Sequence, residues 1–237
     1  MKTRLKINGF IMFVVLLLIS VFPSAFFRHG LMGSFDEAME IFGIAFILLG
    51  QIFRASARGY KAEHSASGSA LIQGGPYALV RNPMYLGILL IGLGIVLMLF
   101  WWWVIFIFLS VFTLRYLLLI LREEKKLIAA FPQEYGEYRK KTPRLLPSIS
   151  WLLGKDVSEY LPLKSAWLKK EIGSMLAVLL ITILIESWED VYNEGLRVYF
   201  REAIGIALTV ILFICLVVYL SKRTEGQDVS DKSKAVA

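Results

Sequence analysis

The chain has 237 residues, 57% of them apolar, with a mean hydropathy of +0.63, which excludes an ordinary soluble domain. Its net charge of +7 would suit a nucleic-acid binder only if a basic soluble face carried stacking aromatics, and the aromatic residues here lie inside apolar segments. One cysteine, Cys215, excludes an internal disulfide and a cysteine metal site.

Taken in chain order, the first apolar segment is 7–27, preceded by Lys2, Arg4 and Lys6. It is long enough to cross a bilayer, which takes roughly 17–25 residues. A cleaved signal is the alternative, but no clear small-x-small site follows the segment. Residues 38–53 form a shorter candidate that crosses only with its ends in the interface. The polar stretch RASARGYKAEHSASGSA from Arg54 reads as a loop or frayed helix end. Residues 84–121 are too long for one crossing and predict two helices turning near 100–103. Residues 151–170 read as a surface-lying linker, with Lys164, Trp167, Lys169 and Lys170 at the interface. Segments 173–187 and 203–221 complete six crossings, and 227–237 is a polar tail expected to be disordered.

Basic residues orient these segments. With the N-terminus inside, the inner stretches hold 23 Lys and Arg and the outer loops hold 3, namely Arg28, Arg197 and Arg201. The expectation is an all-α polytopic membrane bundle of about six transmembrane helices with both termini cytoplasmic. Residues 1–37 form the first helix and outer loop, 38–150 the core, and 151–237 the linker, two further helices and the tail. The inner basic loops face the headgroups of the lipid bilayer, which accounts for the net charge without nucleic acid. His29 and His64 fall on opposite sides of the membrane, so no metal is expected. Oligomeric state is not legible.

Two polar cassettes flank the hairpin. The first is GGPYALVRNPMYLG, from Gly74, and the second begins at Glu123-Glu124 and ends FPQEYGEYRKKTPRLLP. Gly74, Gly75, Pro76 and Pro83 interrupt helix, and irregular backbone at a membrane boundary must be buried in protein or line a cavity. Taken singly, each residue has a plain structural explanation. The glycines make a turn, Arg81 anchors at the interface, and Asn82 caps a helix that Pro83 begins. Tyr77 and Tyr85 suit the interface, and REEKK suits a solvated helix face. Tyr135 and Tyr138, three apart, suit an amphipathic helix lying on the membrane.

Together, GPYALVRNPMYLG, a hairpin and EEKKLIAAFPQEYGEYRKKTPRLLP resemble the isoprenylcysteine carboxyl methyltransferase and phospholipid N-methyltransferase group of integral membrane enzymes. The resemblance covers roughly residues 40–148. It implies a helical bundle that binds S-adenosyl-L-methionine at its cytoplasmic side, in keeping with the lack of a glycine-rich strand–turn–helix unit. Leu71, Ile72, Tyr77, Asn82, Pro83, Met84 and Tyr85 match positions that line the methyl-donor pocket. Glu123 matches an acidic cofactor-binding position, with Glu124 beside it. Glu123 is then expected to pair the donor's ammonium, and Arg81 or backbone N–H groups its carboxylate. Tyr85 and Arg81 are the candidate catalytic residues.

This chain departs from the group's pattern at three positions. The usual Arg-His-Pro-x-Tyr has Asn82 in place of His, and an upstream His position falls on Ser69. Leu119 stands where the prenylcysteine enzymes carry a substrate-recognising Arg, leaving Arg115 and Arg122 as possible substitutes at the acceptor. The implied activity is methyl transfer to an amphiphilic acceptor: a prenylated cysteine, a phospholipid amine or a hydrophobic thiol. The competing class is a non-catalytic relative that binds lipid or a partner.

Overall fold

The computed structural model describes residues 21–28, 34–65, 70–147 and 157–173, with isolated positions between 175 and 222. These residues form seven helices: α1 (Pro23–Phe26), α2 (Ser34–His64), α3 (Pro76–Leu79), α4 (Pro83–Leu99), α5 (Trp102–Ala130), α6 (Pro132–Lys141) and α7 (Val157–Tyr160). A further helical stretch runs over 165–173. Two helical stretches are long and apolar enough to cross a membrane, Ala38–His64 and Trp102–Ala130, and α4 is a shorter apolar helix. The expected crossings at 7–27, 173–187 and 203–221 fall largely outside the described residues.

The predicted hairpin is present, and its turn lies between Leu99 and Trp102. Residues 26–28 strap that turn. The Arg28 N–H donates to Leu99 O at 3.1 Å, the Trp101 N–H donates to Phe26 O at 3.0 Å, and Phe27 stacks on Phe100. The Arg28 guanidinium donates to Leu97 O at 3.0 Å, placing a cation on the exposed carbonyls at the α4 C-terminus.

One expectation is overturned. The stretch from Arg54 to His64 is neither loop nor frayed end, because α2 continues through it, and residues 66–69, Ser69 among them, lie outside the described residues. Its Ala, Arg, Lys and Glu residues are good helix formers. Tertiary packing also holds it: Ala55 and Ala57 are buried, and the Ser56 hydroxyl donates to Pro162 O at 2.7 Å. Leu161 and Leu163 pack with Ile52, Phe53, Leu79 and Val80 in one core cluster, so the chain after the second cassette returns to clamp α2.

The α2–α4 contact is the most extensive between described helices, and glycine makes its close approach possible. Gly43 and Gly50 lie seven residues apart on α2, as do Gly87 and Gly94 on α4. A Cβ at Gly43 would stand 2.7 Å from Gly94 O, and one at Gly50 2.6 Å from Gly87 O. Backbones that close gain dispersion along the whole seam, the main attraction between helices in lipid. Gly94→Val should therefore cost about 1–3 kcal/mol, as overpacking does, and lower the Tm measured in detergent. Gly136→Ala, with nothing within 4 Å, should leave Tm unchanged or raise it slightly.

Candidate functional site

The site lies at the N-terminal end of α4. Gly75 takes a left-handed conformation, φ +56°, which glycine adopts without steric cost. A Cβ there would meet the Tyr60 ring at 2.8 Å, so the Gly74–Gly75 turn is tucked under α2. From this turn α3 carries Tyr77 inward, and the chain then delivers Arg81 and Asn82 to the start of α4.

Pro83 occupies the first turn of α4, as predicted, but Asn82 does not cap it with its side chain. The Asn82 amide instead donates to Arg144 O at 3.0 Å, and the Arg81 backbone N–H donates to Pro143 O at 2.8 Å. The long-range partners win because buried backbone carbonyls need donors. The PRLLP segment is thus pinned across the first cassette.

Glu124 is the centre of this arrangement. Its side chain is 6% exposed and lies 3.3 Å from Arg81 Nη2. Arg144 Nε and Nη2 donate to its two oxygens at 3.1 and 3.0 Å, a bidentate pair. The solvated-face explanation of REEKK therefore fails at Glu124. It holds at Glu123, which is exposed and accepts a hydrogen bond from the Tyr85 hydroxyl at 2.8 Å. Tyr85 in turn lies 5.4 Å from Tyr116, which stacks on Phe112.

Tyr135 and Tyr138 share one face of α6, as their spacing predicted, but that face turns into the protein rather than onto the membrane surface. Both are buried, at 1% and 4% exposure. The Tyr138 hydroxyl donates to Tyr77 O at 2.6 Å, and the Tyr135 ring lies 6.0 Å from the Arg81 guanidinium. Burial, followed by the charge of Glu123, pushes the Tyr77 phenol up to about 12. Burial raises Tyr138 and Tyr135 too; for Tyr135 the charge of Glu124 adds to this and that of Arg81 opposes it. All three remain neutral donors at physiological pH.

A cavity of about 140 Å³ opens beside Arg81, with Leu71, Ile72, Tyr77, Phe131 and Tyr138 among its walls. The Arg81 side chain is 7% exposed, and its Nε and Nη1 are buried with no hydrogen-bond partner. Of the residues singled out from sequence, Leu71, Ile72, Tyr77 and Arg81 meet at this cavity. Asn82, Pro83, Met84, Tyr85, Glu123 and Glu124 surround it without lining it. Arg115, Leu119 and Arg122 lie on the exposed surface of α5. Arg144 and Phe131 belong to the candidate site but were not singled out, and Tyr138 was expected only at the membrane surface. Arg144 could have been found as a basic residue fixed between two prolines. Among the described residues no group of three or more His, Cys, Asp or Glu side chains converges.

The arrangement is a buried ion network that joins two cassettes across an apolar helical hairpin. The phospholipid methyltransferase family model matches residues 36–134. The chain is 32% identical to the protein-S-isoprenylcysteine O-methyltransferase of Schizosaccharomyces pombe over 114 residues, covering 45% of this chain and 48% of that protein. It is 28% identical to a cobalt-zinc-cadmium resistance protein of Cupriavidus metallidurans over 133 residues, covering 54% and 57%. The chain thus spans about half the length of the curated relatives it matches. No solved structure matches. Residues 36–134 are thus similar to the phospholipid methyltransferase family.

Removing one partner from a buried ion network leaves an uncompensated charge, at about 3–5 kcal/mol. Glu124→Ala should therefore lower stability by that order, measured by thermal unfolding in detergent. Arg144→Ala should cost less, because Arg81 still pairs with Glu124 and the Arg144 side chain is 37% exposed.

Proposed function

We propose that the chain is an integral membrane methyltransferase that binds S-adenosyl-L-methionine beside Arg81 and methylates an amphiphile arriving from the bilayer. The observation that carries this reading is the pair of buried, unpartnered Arg81 N–H groups at a cavity walled by Leu71, Ile72 and Tyr77. Buried donors without acceptors are costly, so a ligand acceptor is the natural complement. The donor's carboxylate supplies one, and the apolar and aromatic walls suit its nucleoside. At about 140 Å³ the cavity is smaller than the roughly 300–1,000 Å³ of a whole small-molecule site, so it fits one end of the molecule.

When bound, S-adenosyl-L-methionine supplies a sulfonium methyl group. The chain's own residues align and discriminate. Arg81, held by Glu124, fixes the carboxylate end. Glu123 pairs the ammonium, and the Tyr85 hydroxyl orients the Glu123 carboxylate. Asn82, Pro83 and Met84 hold the backbone that frames this end of α4. An acceptor amine must shed a proton, and Glu123 with Tyr85 is the carboxylate–phenol pair at hand; a carboxylate or thiolate acceptor needs no base. Alignment of acceptor and methyl group can contribute roughly 7–11 kcal/mol. Six crossings, with both termini and the site on the cytoplasmic side, agree with the 23-to-3 split of basic residues.

Glu123→Ala should weaken S-adenosylhomocysteine binding at least tenfold by calorimetry in detergent, while Lys125→Ala, on the exposed face, should not. Unchanged affinity in Glu123→Ala would remove that residue from the donor site.

The acceptor follows from Leu119. With an apolar side chain where the prenylcysteine enzymes have Arg, the acceptor surface favours a neutral or amine-bearing amphiphile, since an unpaired carboxylate near lipid is costly. Labelled-methyl transfer on membranes, offered phosphatidylethanolamine, an alkyl thiol and a prenylcysteine, should favour one of the first two. A preference for the free prenylcysteine acid that is lost in Arg115→Ala or Arg122→Ala would reverse this assignment.

A further inference from the structure

A second cavity, of about 460 Å³, lies away from the Arg81 site, between the polar end of α2 and the helical stretch at 165–173. Four of its nine lining residues, Ala166, Trp167, Lys170 and Glu171, lie beyond the 36–134 family match. Small residues carve it: Ala55, Gly59, Ala62 and Ala166 leave room beneath the Trp167 indole. A Cβ at Gly59 would collide with that ring, so the glycine seats the tryptophan wall.

The charges around the cavity do not cancel. Glu171 is held by Arg58 at 2.8 Å and approached by Arg54 at 4.0 Å. Glu63 is held by Lys164 at 2.8 Å, and that lysine also sits 5.5 Å over the Trp167 ring. Both acids are thus countered, while Lys170 lines the cavity with no partner among the described residues. Arg58 is half exposed, with one nitrogen committed to Glu171. The lining carries Arg58 and Lys170 against Glu63 and Glu171, and with Arg54 and Lys164 beside the two acids, four described cations surround two described carboxylates. The cavity also begins at Ala55, just beyond the apolar stretch that ends at Phe53. At about 1.5 Å per residue, that is the depth of phospholipid headgroups, where Lys and aromatic side chains gather.

We infer that this cavity binds the phosphate of an anionic phospholipid headgroup through Arg58 and Lys170, with Trp167 and the alanine floor receiving the glycerol region. Arg58 offers planar donors suited to phosphate, and Lys170 a point charge. The inference does not depend on methyl transfer, because none of these residues lines the Arg81 cavity.

The test uses the full chain in mild detergent, with bound lipid read by native mass spectrometry during titration with phosphatidylglycerol, phosphatidylcholine or inorganic phosphate. Phosphatidylglycerol should be retained at least about tenfold better than phosphatidylcholine, a difference of about 1.4 kcal/mol, and inorganic phosphate should compete poorly. The double substitution Arg58→Gln, Lys170→Gln should abolish the preference. Ala62→Leu, which fills the cavity and keeps both cations, should do the same, and Lys169→Gln, outside the lining, should not. Unchanged circular dichroism melts identify folded variants. Equal retention of the two lipids, or a preference surviving either cavity variant, overturns the site. Inorganic phosphate binding as tightly as phosphatidylglycerol overturns the lipid source.

Discussion

The site depends on one buried carboxylate. Glu124 stands near the C-terminal end of a long apolar helix, where an unpaired buried charge would be untenable. It is stable there because two guanidinium groups converge on it from opposite directions in the chain: Arg81 from before the hairpin and Arg144 from after it. Meeting that requirement forces the two cassettes together. The Asn82–Arg144 and Arg81–Pro143 hydrogen bonds then hold the backbone around the network. The same network leaves Arg81 Nε and Nη1 buried without a partner, on a residue that also lines the cavity.

The glycine seam between α2 and α4 supplies the rigid frame. It brings the two backbones into contact and fixes the height at which the first cassette leaves α4. α5 is a different kind of helix. Only 11% of its most apolar window is buried among the described residues. Its packed face carries Phe112, Ile120 and Glu124 toward the frame, while the remainder presents leucines and phenylalanines outward. A helix so placed leaves the Tyr85–Glu123 pair open, which is where a lipid-borne acceptor would need access.

The adjacent glutamates show how one helix divides two tasks. A rotation of 100° per residue turns Glu124 into the protein and leaves Glu123 outside it. Their chemistry differs accordingly: one carboxylate is consumed by arginines, while the other accepts from a tyrosine and retains capacity for a further partner. Asn82 belongs to the same logic. Where the group uses an imidazole, this chain uses an amide that ties down Arg144 O, a task that requires a donor and no titration.

Local pattern alone determined much of the fold. The apolar run of 84–121, too long for one crossing, predicted the hairpin, Pro83 predicted the start of α4, and the i, i+3 spacing of Tyr135 and Tyr138 predicted a shared face. These features depend on periodicity and on the backbone restrictions of proline, which act within a few residues. The sequence motifs also identified Leu71, Ile72, Tyr77 and Arg81 as companions. Only the tertiary structure decided which glutamate is buried, that Asn82 serves Arg144 rather than its own helix, that Tyr135 and Tyr138 face protein, and that α2 runs on to His64. Each of these turns on a partner more than twelve residues away. The cost of burying a charge or an unpaired carbonyl is set by where that partner lies in space, and no local pattern records it.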